Sequence, residues 1–207
     1  MSSDMASVFE TIRSSAIIDF LKSLDWALLH WIQDNLRMEI LDKLMPVFSF
    51  LGNGGLVWIV LAVILLFPRR TRRTAILVLI GLAAAGLIGT NLIKEFVARP
   101  RPCWLDESVV MLIKVPQDYS FPSGHTVCGV VSCFLINRTN KVIGFFSVIL
   151  MLLIAFSRMY LYVHFPSDIL AGLIFGIICG AIIWAIGGRW ARKGRLPKEP
   201  DFWENVV

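Results

Sequence analysis

Apolar residues recur at three- and four-residue steps between Ala16 and Leu36. Ile17, Leu21, Leu24, Leu28 and Trp31 share one face of the helix that this spacing predicts. Asp19, Lys22, Asp25, His30 and Asp34 interrupt the run. A charged side chain at a bilayer centre costs roughly 2.5–3.5 kcal/mol on insertion scales. The segment therefore reads as an amphipathic helix lying in a membrane interface, with Trp26 and Trp31 at headgroup depth. The polar residues 1–15 are expected to be loose. Met38–Phe50 predicts a second short interfacial helix, and Gly52-Asn53-Gly54-Gly55 predicts a break.

Beyond that break the pattern changes from a stripe to unbroken apolar runs. Leu56–Phe67, with Phe48–Leu51 added, approaches the ~20 residues that cross a ~30 Å hydrocarbon core. Four more spans are predicted over Thr74–Val97, Phe121–Ile136, Val142–Tyr162 and Asp168–Ile186. Small residues spaced by four (Gly81, Ala85, Gly89; Gly172, Gly176, Gly180) let neighbouring helices approach closely. The expected fold is an all-α polytopic transmembrane bundle of five or six spans with an N-terminal amphipathic interfacial helix. Its expected divisions are an interfacial segment over 1–52, a transmembrane catalytic bundle over 53–188 and a cytoplasmic tail over 189–207.

Composition agrees with this reading. Of 207 residues, 57% are hydrophobic and 17% charged, and mean hydropathy is +0.71. Soluble domains carry about 25% charge. The net charge of +5 does not suggest nucleic acid, because the basic residues flank apolar runs and so report topology. Arg69, Arg70, Arg72 and Arg73, the Arg138–Lys141 turn, and Arg189, Arg192, Lys193, Arg195 and Lys198 fall on one face, expected to be cytoplasmic. Lys94, Arg101, His125, Arg158, His164 and Asp168 fall on the other. Cys103, Cys128, Cys133 and Cys179 have no metal-type spacing. The first residues lack a basic region followed by an apolar core, so no cleavable signal peptide is expected.

Three polar stretches on the second face carry candidate chemistry. His164 and Asp168, four apart at a helix mouth, can meet on one face. A carboxylate on one imidazole nitrogen fixes the tautomer and frees the other nitrogen to attack phosphorus. Pro122-Ser123-Gly124-His125 reads as a turn opening a helix, where backbone N–H groups bind anions. His125 is then placed as a general acid. Lys94 and Arg101, with Arg158, supply a point charge and planar forks for phosphoryl oxygens. Arg99 is a further basic neighbour whose side the sequence leaves open.

Lys94, six residues, Arg101-Pro102; Pro122-Ser123-Gly124-His125; and Ser157-Arg158, five residues, His164, three residues, Asp168 together resemble the three motifs of the type 2 phosphatidic acid phosphatase family of membrane lipid phosphatases. The resemblance covers Lys94 to Asp168. It implies that His164 is the nucleophile, Asp168 its orienter and His125 the acid for the leaving group. Lys94, Arg101, Ser123, the Gly124 N–H and Arg158 would hold the phosphoryl oxygens. A phosphohistidine would form and be hydrolysed, with no metal or cofactor.

The expected activity is that of a lipid phosphate phosphatase in the cell membrane, working on its extracytoplasmic face. Undecaprenyl diphosphate is the favoured substrate, with phosphatidylglycerol phosphate and phosphatidate as alternatives. The expected partners are the lipid substrate and the bilayer, with no nucleic acid and no obligatory protein. A non-catalytic lipid transporter on the same scaffold competes, but would not need a nucleophile–orienter pair. Met111, Leu112, Ile113 and Val115 either touch the lipid or anchor their loop.

Overall fold

The computed structural model describes the backbone of residues 3–192 and the side chains of residues 16–87 and 92–192. The described residues form helices and connecting turns, without a strand. The chain runs through α1 (Ser3–Leu36), α2 (Glu39–Gly52), α3 (Leu56–Leu66), α4 (Arg72–Ala84), α5 (Ile93–Val97), α6 (Pro102–Leu105), α7 (Gly124–Asn137), α8 (Lys141–Tyr160) and α9 (Pro166–Arg192). By length and composition, Glu39–Leu66, Lys141–Tyr160 and Pro166–Arg192 can each cross a membrane, and α7 is a shorter apolar helix.

α7 forms the centre of the bundle, with α4, α8 and α9 packed around it. Val127, Val130, Val131, Leu135 and Ile136 bury their side chains there. The glycine stripe of α9 makes this close approach possible. A Cβ at Gly176 would stand 2.6 Å from Val130 Cβ, and one at Gly172 would stand 2.9 Å from Thr126 Cβ and 3.0 Å from the Ser123 carbonyl oxygen. Ser123 N in turn donates to the Asp168 carbonyl at 3.2 Å, joining the starts of α7 and α9. At the other end of α9, Arg73 Nη1 donates to Trp190 O at 2.8 Å, so the basic turn after α3 meets the C-terminal turns of α9.

Three expectations change. The first fifteen residues, expected to be loose, are helical from Ser3 onward. The stripe of Ile17, Leu21, Leu24, Leu28 and Trp31 on α1 is exposed, while Asp25, Leu29 and Ile32 face the bundle. That is the orientation the interfacial reading expects, with the inward face left to carry polar groups. The second short helix expected over 38–50 forms as α2, but by length and composition α2 and α3 together make one 28-residue candidate span over Glu39–Leu66, rather than an interfacial helix followed by a span. A turn at Asn53–Gly55 bends this stretch at Gly54 (φ 58°) and Gly55 (φ 74°), a left-handed conformation that glycine adopts without a Cβ clash. Finally, Thr74–Val97 is not one α-helix: Ala85–Leu92 winds as a π-helix just before Lys94. The stretch of the basic tail with Lys193, Arg195 and Lys198 lies outside the described residues, as do the surroundings of Gly89.

Candidate active site

The α8–α9 turn is built to present a histidine. Tyr162 sits at φ 60°, and its backbone N–H bonds Met159 O at 2.9 Å. A non-glycine residue held there costs about 1–3 kcal/mol, and the fully buried ring, whose hydroxyl donates to Asp106 at 2.7 Å, helps to hold it. Pro166 then opens α9, a favoured first helical position because its missing N–H would be unpaired there anyway. Asp168, two residues on, reaches back to the Phe165 backbone N–H at 2.8 Å, the reciprocal half of a capping box. Helix initiation itself therefore fixes the Asp168 carboxylate.

His164 and Asp168 are both buried, and their Nδ1 and Oδ2 lie 3.5 Å apart. Ser120 stands between them. Its hydroxyl donates to Asp168 Oδ2 at 2.5 Å and lies 3.4 Å from His164 Nδ1. The other ring nitrogen, Nε2, is 3.2 Å from Arg101 Nη1. Arginine only donates, so Nε2 carries the lone pair and Nδ1 the proton. Burial, and then the charges of Arg101, Arg158 and Lys94, hold the His164 imidazole well below its ordinary pKa. The Nε2 lone pair thus faces Arg101, and the residue lines the cavity.

His125 carries its proton on the opposite nitrogen. Its Nε2 faces two acceptors, Ser49 O at 3.2 Å and Asn53 Oδ1 at 3.0 Å. The ring rests against the end of α2, where a Cβ on Gly52 would lie 2.5 Å from His125 Cδ2. Ser49 also accepts from Arg158 Nη1. Arg158 is buried, and its Nε has no hydrogen-bond partner among the described residues. An unsatisfied buried donor costs about 1–3 kcal/mol, more when charged. An anion in the cavity would remove that penalty.

Lys94 and Arg101 are also buried and both grip Asp118, on the loop before α7. Burial pushes the Asp118 carboxyl up, but the Lys94 bond and the Arg101 and Lys94 charges outweigh it and hold the pKa at about 2. The same loop is pinned by Ser120 N to Arg99 O at 2.8 Å and by Trp104 Nε1 to Pro116 O at 3.1 Å.

Lys94, Arg101, Gly124, His125, Arg158 and His164 line one cavity of about 1210 Å³. Ile59, Leu79 and Leu82 add apolar side chains to its wall. Asp168 stands behind His164. Ser123 differs from the expectation that its hydroxyl faces a phosphate: it is fully buried, and its Oγ accepts from Thr126 at 3.1 Å. Of the apolar loop residues, Met111, Leu112, Ile113 and Val115 all pack on the cluster beneath α1, and Ile113 and Val115 also line the cavity. Sequence reasoning missed Ser120, Asp118, Ser49, Asn53 and Asp25, and left Arg99 unassigned. Arg99 spans two carboxylates, Nη1 to Asp168 at 2.7 Å and Nη2 to Asp25 at 2.7 Å. The only signal for Asp25 was a charge on a helix with an apolar stripe.

Comparison with known proteins points the same way. The model of the PAP2 superfamily matches residues 74–192. The chain is 32% identical over 143 residues to the undecaprenyl-diphosphatase of Sulfolobus acidocaldarius, with 68% of each chain covered. It is 33% identical over 146 residues to undecaprenyl-diphosphatase BcrC of Bacillus subtilis, covering 70% of this chain and 75% of the relative. Among solved structures, a transmembrane PAP2 type phosphatidylglycerolphosphate phosphatase from Bacillus subtilis has a similar fold. Its TM-score is 0.68 at 24% identity, over 88% of this chain and 94% of that one.

Proposed function

This chain belongs to the PAP2 superfamily as a membrane lipid phosphatase, and we propose that it cleaves a polyprenyl diphosphate through a phosphohistidine at His164. The observation that carries the chemistry is the Arg158 guanidinium, buried beside both histidines with Nε unpartnered among the described residues. With Lys94 and Arg101 it supplies three cations to an anionic transition state in a partly dry pocket. Gly124 adds the N-terminus of α7, whose first N–H groups have no partner within the helix.

His164 Nε2 attacks the terminal phosphorus, and the bond from phosphorus to the bridging oxygen breaks. His125 gives that oxygen its Nε2 proton, and the lipid leaves as a monophosphate. The substrate's negative charge favours the imidazolium form of His125 that this step needs. Water then attacks the phosphorus–nitrogen bond while His125 takes its proton, releasing inorganic phosphate and restoring His164. Asp168, with Ser120, keeps the Nδ1 proton in place and stabilises the charge that develops on the ring. Ser123 acts from behind, by tying the start of α7 to α9.

The polyprenyl substrate rests on the two undecaprenyl-diphosphatase relatives and on the apolar wall of Ile59, Leu79 and Leu82, which suits a hydrocarbon tail. In the proposed topology five segments cross the cell membrane and α1 lies at its surface. The Arg69–Arg73 turn and the Arg189–Arg192 end are cytoplasmic, so the site opens on the extracytoplasmic side. Phosphate release in detergent, with chelator present, tests the reading. Undecaprenyl diphosphate should give a higher kcat/KM than phosphatidylglycerol phosphate or phosphatidate, and His164→Ala should abolish turnover. The reverse substrate order removes the substrate assignment, and turnover in His164→Ala removes the covalent mechanism.

A further inference from the structure

We propose that Asp25 and Arg99 are positioning residues for the reaction, linking α1 to the His164–Asp168 pair. The inference rests on the nucleophile–orienter reading above and extends it to residues outside the three motifs.

Asp168 is fully buried, and each of its oxygens has a separate task. Oδ2 accepts from Ser120 and from the Phe165 N–H and faces His164. Oδ1 is held by Arg99 Nη1 at 2.7 Å. Rotation of the carboxylate would move Oδ2 away from the imidazole, and Arg99 is the charged group that opposes it. Arg99 is itself fixed on three sides. Its guanidinium lies 4.1 Å from the Phe165 ring centroid, Nη1 also donates to Ser167 Oγ at 2.7 Å, and Nη2 donates to Asp25.

Asp25 completes the clamp. It is 4% exposed although it sits on a helix with an exposed apolar stripe. Its Oδ1 accepts from the Ser167 backbone N–H at 2.9 Å, and its Oδ2 from the Ser167 hydroxyl at 2.6 Å. The first N–H groups of a helix lack partners within it, and a carboxylate there is favoured by the helix dipole. Asp25 therefore grips both the arginine that holds Asp168 and the first turn of α9 that carries it. A contact serving only to staple α1 needs neither Arg99 nor its second hand on Asp168.

The test uses the full chain in detergent, with kcat and KM for undecaprenyl diphosphate. Asp25→Asn keeps the shape and removes the charge. It should lower kcat about 10- to 100-fold, the scale of a misplacement near 1 Å at the reacting centre. KM should change by less than about threefold, since the phosphoryl cations are untouched. Arg99→Gln should lose at least as much, and Arg99→Lys should recover part of it. The double variant should be little worse than Arg99→Gln alone, because residues acting through one another are non-additive. A folded Asp25→Asn with unchanged kcat overturns the proposal, as do losses that multiply in the double variant. If Asp25→Asn does not fold, Arg99→Lys decides: it keeps the charge facing α1, so unchanged kcat overturns the proposal and a kcat-only loss supports it. His164→Ala runs in parallel. Its inactivity beside a fully active Asp25→Asn removes this inference alone, whereas activity in His164→Ala removes the mechanism on which it rests.

Discussion

Arg101 holds Asp118 twice, from Nε to its carbonyl oxygen at 2.7 Å and from Nη2 to its carboxylate at 2.8 Å. Its other N–H groups are directed to Val163 O, Tyr119 O and His164 Nε2. Lys94 points to the same carboxylate. A phosphoryl group that uses Lys94 and the Nη2 edge of Arg101 must therefore displace Asp118. Asp118→Asn should lower KM and strengthen inhibition by vanadate, with kcat nearly unchanged. The side chain is 57% exposed, and a pair of that kind is worth about 1 kcal/mol or less, so the change should be about fivefold or smaller. Initial rates against substrate and vanadate check it; an increase in KM would mean that Asp118 helps to bind substrate.

The pH profile follows from His164. In the proposed mechanism the nucleophile works as the neutral imidazole, and protonation on acidification removes it. Because burial and three cations lower its pKa in the free enzyme, the acid limb of kcat/KM should have its midpoint below pH ~6.5, the ordinary histidine value. Arg101→Gln removes one of those cations and should move the limb to higher pH while lowering the overall rate. A limb at or above 6.5 in the parent enzyme, or one that moves down in the variant, would contradict the assignment.

Gly52 tests the wall behind the proposed acid. An added Cβ would lie 2.5 Å from His125 Cδ2 and 2.8 Å from Ile154 Cγ2, and neither neighbour is the end of a long flexible chain. Gly52→Ala should push the imidazole off its line and reduce kcat by roughly 100-fold. Overpacking of this kind also destabilises by about 1–3 kcal/mol. A thermal midpoint below that of the parent, measured alongside turnover, would accompany the loss. Full activity would mean that His125 has room to move and that its contact with α2 does not matter.

Much of the site was legible because a membrane protein cannot carry idle charges cheaply. Lys94, Arg101, His125, Arg158, His164 and Asp168 stood out as polar groups at the ends of apolar runs, and they do meet. The glycine spacing in α9 likewise announced a helix pressed close, which is α7. The exposed stripe of α1 fits the interfacial reading; what the stripe did not show is that the opposite face carries Asp25 into the bundle. Asp25, Arg99 and Asp118 were hidden for another reason. Asp25 meets Arg99 across 74 residues of chain and Arg99 meets Asp168 across 69, and no local pattern encodes such pairs. The break at Gly52-Asn53-Gly54-Gly55 was legible too: α2 ends at Gly52 and α3 starts at Leu56.

The grip of Asp25 on Ser167 also bears on how the molecule comes into being. The first helix leaves the ribosome long before the last, so the earlier segments enter the bilayer with the carboxylate of residue 25 still waiting for its counterpart. With Asp168 in its proposed role, hydrolytic power arrives only when the final segment docks, and a chain cut short before it would sit in the membrane inert toward every lipid around it.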